Sequence, residues 1–497
     1  MKTRFSRIYY SAAAVLASAA LALTACGSTG TTEITATEAT ATAAAQTTTA
    51  ANEATTTAAS EVTTTASALA YILSADDITV NETVSNSADG EHAIAADGES
   101  ASYSNIKVEK TGDSDSGDEA DFYGENSAIF ATNGATMDLS EIVVDTDGKH
   151  ANAVFSYGEG TTVNISDSVI TTSGNCSGGI MTTGGGTMNA ANLTIHTTGG
   201  SSAAIRSDRG GGTVIVNGGS YTTDGTGSPV IYSTADITVS NAILESTASQ
   251  GVVVEGKNSV TLNNVNLTAD NNKKNSDKSD WYQAVMIYQS MSGDAAEGES
   301  FFTMTGGSLT NKNGDIFFVN NTVTTITLTD VNITNEDADG VFLRAAAAGW
   351  GSEGSNGGKV NLIASGQIID GDILVDEVSA LNLYLAECSD LAGSINPDGQ
   401  EGDVYVEISG GSVWTLTGDS YITSLTCDAD SINLNGYTLY VNGVAYEEGS
   451  TSEGEAIDLT VSSGNGGSDG HGPGGDRPDA NGHGGPGGST PPAKPEG

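Results

Sequence analysis

The sequence predicts an all-β fold: a parallel β-helix solenoid of about ten or more rungs. Two repeating patterns and one compositional bias predict it. The first pattern is an apolar triplet. Ala128-Ile129-Phe130 returns as Ala153-Val154-Phe155, Gly179-Ile180-Met181, Ala204-Ile205-Arg206, Val230-Ile231-Tyr232 and Val252-Val253-Val254. Val285-Met286-Ile287, Ile316-Phe317-Phe318 and Val341-Phe342-Leu343 follow. Central residues step by 25, 26, 25 and 26, then by 22, 33, 31 and 25. A unit of this size cannot bury its own apolar edge, so neighbouring units must stack.

The second pattern lies behind each triplet. Met137-x-Leu139 leads to Val144, Val163-x-Ile165 to Ile170, Met188-x-Ala190 to Ile195, and Val214-x-Val216 to Tyr221. Ile237-x-Val239 leads to Leu244, Val260-x-Leu262 to Leu267, Phe302-x-Met304 to Leu309, and Ile326-x-Leu328 to Ile333. A spacing of two is strand alternation, with one face dry. The odd spacing that follows requires a bend. Ser140-Glu141, Ser166-Asp167, Asn217-Gly218 and Asn263-Asn264 supply turn-forming residues there. Each repeat therefore reads as three short strands and three bends, and stacking predicts three parallel sheets. At the usual strand spacing, ten rungs span roughly 50 Å. An antiparallel sandwich is the alternative, but sandwiches lack so regular a repeat. Leucine-rich repeats are excluded by missing leucines.

Composition fits an extended, soluble β protein. Glycine numbers 64 and proline 8, and charged residues make up 16%. The formal net charge is −46. That surface repels nucleic acid and anionic headgroups, and it repels acidic polysaccharides unless a divalent cation bridges them. No nucleic-acid partner is expected, and a monomer is expected.

The ends read differently from the middle. Lys2, Arg4 and Arg7 precede an apolar run, Ser11 to Leu23, that is short for a membrane span. Leu23-Thr24-Ala25-Cys26 resembles the bacterial lipobox. That resemblance implies a lipoprotein signal peptide over 1–25, cleavage before Cys26, and a diacylglyceryl group on its sulfur. Removal of 1–25 leaves 14 positive and 63 negative residues, or −49. Residues 26–68 are rich in Thr, Ala, Ser and Glu and read as a tether. Fully extended, it reaches on the order of 130 Å. The expected location is the outer face of a bacterial cell membrane, in a Gram-positive host. The β-helix is expected over 69–462, followed by a Gly/Pro-rich tail over 463–497. Gly470-His471-Gly472 and Gly482-His483-Gly484 sit in that tail. Of the other cysteines, Cys388 and Cys427 form a possible pair, which sequence alone leaves open.

With these features the chain resembles surface lipoproteins of the right-handed parallel β-helix, or pectin-lyase-like, superfamily. Its members include polysaccharide lyases and hydrolases, tailspikes, adhesins and non-catalytic glycan binders, so the resemblance does not fix a function. Polygalacturonase-like chemistry implies Asn-Thr-Asp and Arg-Ile-Lys motifs, and neither is present. The one Asp-Asp, Asp76-Asp77, precedes the repeats. A lyase implies Ca²⁺-holding carboxylates and a basic residue. The nearest match is Arg206-Ser207-Asp208-Arg209, so Arg206, Asp208 and Arg209 are the alternative catalytic set, or else an internal ion pair.

Inserts in solenoids gather on functional faces. Asp270–Gln283 carries Lys273, Lys274, Lys278, Trp281 and Tyr282, and Ala345–Gly358 carries Trp350. A third insert spans Ser290–Ser300. The leading expectation is a non-catalytic, lipid-anchored surface protein that binds carbohydrate or a host surface. Trp281, Tyr282, Trp350, Lys273 and Lys274 would form the glycan site, unless the tryptophans fold down as plugs. Asp113, Asp115, Asp118 and Asp121, with Glu119 among them, are a candidate Ca²⁺ set that fails the EF-hand spacing. A ligand-free stalk is the third reading.

Overall fold

Strand-length apolar runs separated by bends must find partners in other repeats, and here they do. The computed structural model describes residues 72–460. The expected signal peptide over 1–25, the expected tether over 26–68 with Cys26, and the 463–497 tail lie outside the described residues. Among the described residues, no helix is long and apolar enough to cross a membrane.

The triplets form one parallel sheet of eleven strands. It runs from Ile94–Asp97 through Ile129–Thr132, Val154–Tyr157 and Ile180–Thr183 to Leu343–Ala345 and Ile373–Val375. The second pattern forms a nineteen-stranded sheet, in which Met137 pairs in register with Val163, Met188, Val214, Ile237, Val260, Phe302 and Ile326 in turn. Every pairing in these two sheets is parallel, which excludes the sandwich and gives a parallel β-helix.

The three expected sheets are two over most of the length, because two strand rows share one ladder across a bend. In Gly186–Thr197, Gly212–Thr223, Ser259–Ala269 and Glu299–Asn311 the rows are a single strand. The bend residue is left-handed on every rung from Asn105 (φ 55°) through Glu141, Asp167, Asn192, Gly218, Asn241, Asn264, Gly306 and Asp330 to Glu387 (φ 54°). Asn and Gly tolerate this region best. Stacking adds bonds along the axis: Asn192 Nδ2 donates to Asp167 Oδ1 at 3.1 Å, and Asn241 Nδ2 to Asn217 Oδ1 at 2.9 Å. A separate third sheet appears only near the C-terminal end, as Ile368–Asp370, Asp390–Ala392, Val413–Thr415 and Ile432–Asn433.

One detail of the triplet reading is corrected. Ile231 pairs with Val252 rather than Val253, Val252 with Val285, and Phe317 with Leu343 rather than Phe342. The inward position slips by one residue in those rungs. Val253 and Met286 face outward and are as buried as their neighbours. With both faces of the sheet covered, hydrophobicity cannot tell inside from outside.

A single apolar core runs the length of the solenoid, from Ile94 to Leu439. Its Val, Leu, Ile, Phe and Met side chains each contribute about 1.5–3 kcal/mol of transfer free energy. Trp414, fully buried, plugs the C-terminal rungs and donates Nε1–H to the Gly393 carbonyl at 2.9 Å. An antiparallel hairpin, Leu439–Val441 with Val444–Ala445, ends the ladder. Cys427 beneath it is a buried thiol, 3.7 Å from the Tyr446 hydroxyl, so the Cys388–Cys427 bond is not formed.

Candidate functional site

The two sheets present different outer faces. The triplet sheet turns Phe130, Phe155, Met181, Arg206, Tyr232, Val253, Met286, Phe318 and Arg344 outward, one per rung in register. Inserts roof this row. One was not anticipated: the helix Gly117–Tyr123 precedes the first triplet, where no repeat period yet exists to reveal it. Its Phe122 receives the Arg209 guanidinium at 3.9 Å, and its Tyr123 stacks edge-on with Tyr157 at 5.7 Å.

The alternative catalytic set lies under this roof. Arg206 Nη2 sits 2.8 Å from Asp208 Oδ2 and 3.6 Å from Asp121 Oδ2. Arg209 instead binds Asp294 of the Ser290–Ser300 insert at 2.6 Å. Burial would lower the Arg206 pKa, but the Asp121 and Asp208 charges outweigh it and the net shift is upward. Burial pushes the Asp208 carboxyl up to about 7 against the pull of Arg206. Both side chains are about nine-tenths buried, so no polymer chain can reach them. Arg206 and Asp208 thus form a buried ion pair within one bend, and Arg209 ties that bend to the insert through Asp294.

Further along the same face, Glu255 is fully buried and accepts hydrogen bonds from the hydroxyls of Tyr232 and Tyr288, the latter at 2.7 Å. Burial raises its pKa above the ordinary carboxylate range.

The expected glycan-binding residues do converge. Lys273, Lys274, Trp281, Tyr282 and Trp350 all line one depression of about 40 Å³. Trp350 is only 3% exposed and packs edge-on against Tyr288 at 5.2 Å, over Met286 and Phe318. Trp281 is half-buried, with Phe318 at 5.5 Å and the Arg344 guanidinium at 4.8 Å on its ring. Arg344 is itself held by buried Asp315 at 2.6 Å. The stacking role expected of Trp350 is therefore corrected: it plugs its loop onto the sheet. Lys274 is paired with Asp280 at 2.8 Å on the surface.

The candidate Ca²⁺ set also separates. Asp113, Asp115 and Asp118 are exposed, and Asp113 is engaged by the Lys149 backbone N–H at 2.7 Å. Asp121, on the inner side of the helix, is buried and bonded to His150 at 3.0 Å. The four carboxylates do not meet: the helix turns Asp121 toward the sheet and Asp118 toward solvent, and Asp113 and Asp115, both exposed, lie in the segment before it.

The open feature lies on the other sheet. A trough of about 380 Å³ runs over five successive rungs, lined by Ser102, Asp138, Asn164, Asn189 and Ile215 in one row and Ser140, Ser166 and Ala191 in the next. Asn164 Nδ2 donates to Asp138 Oδ1 at 2.7 Å, and Asn189 Nδ2 to Asn164 Oδ1 at 2.9 Å. Ile215 is 48% exposed at one end. The sequence did carry this signal: the outward residue of the second pattern reads Asp, Asn, Asn, Ile on consecutive rungs. Toward the other end of the sheet, the 452–460 segment crosses the strands instead. There the Ile457 backbone N–H donates to Asn382 Oδ1 and its carbonyl accepts from Asn382 Nδ2, and Thr460 O accepts from Lys359 Nζ at 2.8 Å. No known protein family, curated protein or solved structure matches the chain.

Proposed function

We propose that the chain is a non-catalytic, lipid-anchored cell-surface β-helix that binds carbohydrate along its open trough, in the manner of pectin-lyase-like adhesins. The observation that carries this reading is the trough itself. It offers amide, carboxylate and hydroxyl groups in a fixed row, with an apolar pad at Ile215. Sugars need both: vicinal hydroxyls pair with amides and carboxylates, and C–H faces rest on apolar carbon. Five rungs extend on the order of 20 Å, so contact is shallow and multivalent. Asp138 and the net charge of −46 favour a neutral glycan over a polyuronate. The lipid on Cys26 and the 26–68 tether would keep the β-helix at the cell surface.

The test is retention of the full chain on a panel of soluble and insoluble polysaccharides. Binding that falls at least tenfold in an Asn164→Ala, Asn189→Ala, Ile215→Ser variant supports the trough. Equal binding by that variant rejects it. Release of new reducing or unsaturated ends would replace binding with catalysis, and retention on nothing would leave the stalk.

A further inference from the structure

Under the Gly117–Tyr123 helix lies a mixed donor cluster that neither the repeat nor the trough explains. Asp121, His150 and Cys176 each offer one ligand atom, and those atoms all lie within 4.8 Å of one another. Among the described residues it is the only grouping of three or more acidic, histidine or cysteine side chains able to hold a metal ion. The three come from separate repeats. His150 and Cys176 occupy the same left-handed corner on successive rungs, each four residues before an inward triplet residue, Val154 and Ile180 (φ 57° for both). Ser201 and Gly227 continue that corner. Strand stacking thus sets the imidazole and thiol one rung apart, and the inserted helix brings the carboxylate down beside them.

We propose that this cluster is a transition-metal site of the zinc class, with Asp121, His150 and Cys176 as its protein ligands. The spacing suits a small tetrahedral ion. Zinc bonds of about 2.0–2.1 Å to N and O and about 2.3 Å to S put ligand atoms roughly 3.3–3.6 Å apart. His150 Nδ1 and Asp121 Oδ1 are 3.0 Å apart, and all three ligand atoms lie within 4.8 Å of one another, so side-chain shifts of up to about 1 Å bring them to zinc distances. The donor set is one hard, one borderline and one soft atom, which selects zinc-like ions over Ca²⁺ or Mg²⁺. Charge closes as well. A dication cancels one carboxylate and one thiolate, while the adjacent Arg206 is cancelled by Asp208 at 2.8 Å. Arg206 approaches the other oxygen of Asp121, at 3.6 Å, and so orients the ligand from behind.

The same three residue types could form a nucleophile, base and orienting acid. Burial decides against that use. Asp121, His150 and Cys176 are 5%, 1% and 8% exposed, which admits an ion but no substrate. The metal would act structurally, pinning the insert to two rungs.

The experiment uses the full chain with Cys26, Cys388 and Cys427 changed to serine, so that Cys176 is the sole thiol, and titrates it with Co²⁺ and then Zn²⁺. The proposal expects one equivalent of Co²⁺ to give a thiolate-to-cobalt charge-transfer band that Zn²⁺ abolishes. It expects Zn²⁺ to raise the melting temperature. The band should vanish in Cys176→Ser, and affinity should fall at least tenfold in His150→Ala and Asp121→Asn. Metal held by histidines of the tail would give no thiolate band. Absence of the band in the single-thiol protein, with its β-type circular dichroism intact, overturns the proposal. So does Zn²⁺ affinity unchanged in all three ligand variants.

Discussion

The outer faces of the two sheets are built on the same rung spacing and have opposite fates. Along the nineteen-stranded sheet, outward residues are mostly Asp, Asn, Ser and Thr, with Ile215 exposed among them, and the N-terminal part stays open as a trough. Along the eleven-stranded sheet, outward residues include Phe155, Met181, Val253, Met286 and Phe318, all buried or half-buried beneath inserts. The contrast teaches where departures from the period go in this solenoid. They form a roof that turns one sheet into a two-sided buried layer, and they leave the regular face to meet solvent. Tryptophans in inserts then act as roof fasteners, and the proposed ligand face is the one with no inserts.

The largest effects should come from charges under the roof. Arg206→Ala or Asp208→Ala strands its partner in a buried site and should cost about 3–5 kcal/mol in denaturant unfolding. The double change Arg206→Met, Asp208→Leu should recover most of that loss. If the single changes cost nothing, the roof is wet and the comparison fails. Trp350→Ala should cost about 3–5 kcal/mol by emptying the space over Met286 and Phe318. Trp350→Phe should cost much less, because Trp350 Nε1 makes no hydrogen bond.

Glu255 sharpens the comparison through pH. Burial holds its folded pKa above the unfolded value of about 4.3. The folded state therefore binds the proton more tightly. Its contribution is full below the unfolded pKa and is lost as pH rises through the folded pKa. Glu255→Gln should remove that slope and match or exceed the parent's stability at neutral pH, as read from melting temperature against pH. Glu255→Ala should cost about 1–3 kcal/mol by leaving two buried tyrosine hydroxyls without their acceptor. The smallest effect belongs to the open face: Ile215→Ser should change stability by no more than about 0.5 kcal/mol. A larger loss would mean that the trough is packed against something.

Much of the architecture was legible because it repeats. The second pattern placed Met137, Val163, Met188 and their successors in the register the ladder shows, since that sheet alternates buried and exposed. The bend pairs Ser140-Glu141 and Asn263-Asn264 were legible because left-handed backbone restricts residue choice. The triplet sheet was read one residue out at Val253, Met286 and Phe342, where covered residues on both faces erase alternation. The Trp350 face was misplaced because an aromatic in a loop looks the same in sequence whether it points outward or down. The grouping of Asp121 with His150 and Cys176 escaped notice because only the stacking of rungs brings them together.

By itself, then, the sequence determined that this protein stacks parallel rungs around a dry interior, and where each rung bends. Periodicity encodes those features locally, through alternation and through the few residues that accept a left-handed backbone. Tertiary structure alone decided which outer face is roofed, which aromatic side chains are plugs, and which polar groups from neighbouring rungs share one buried point. Those outcomes depend on how inserts fold back across neighbouring rungs, and contacts between rungs leave no trace in the order of residues along any one of them.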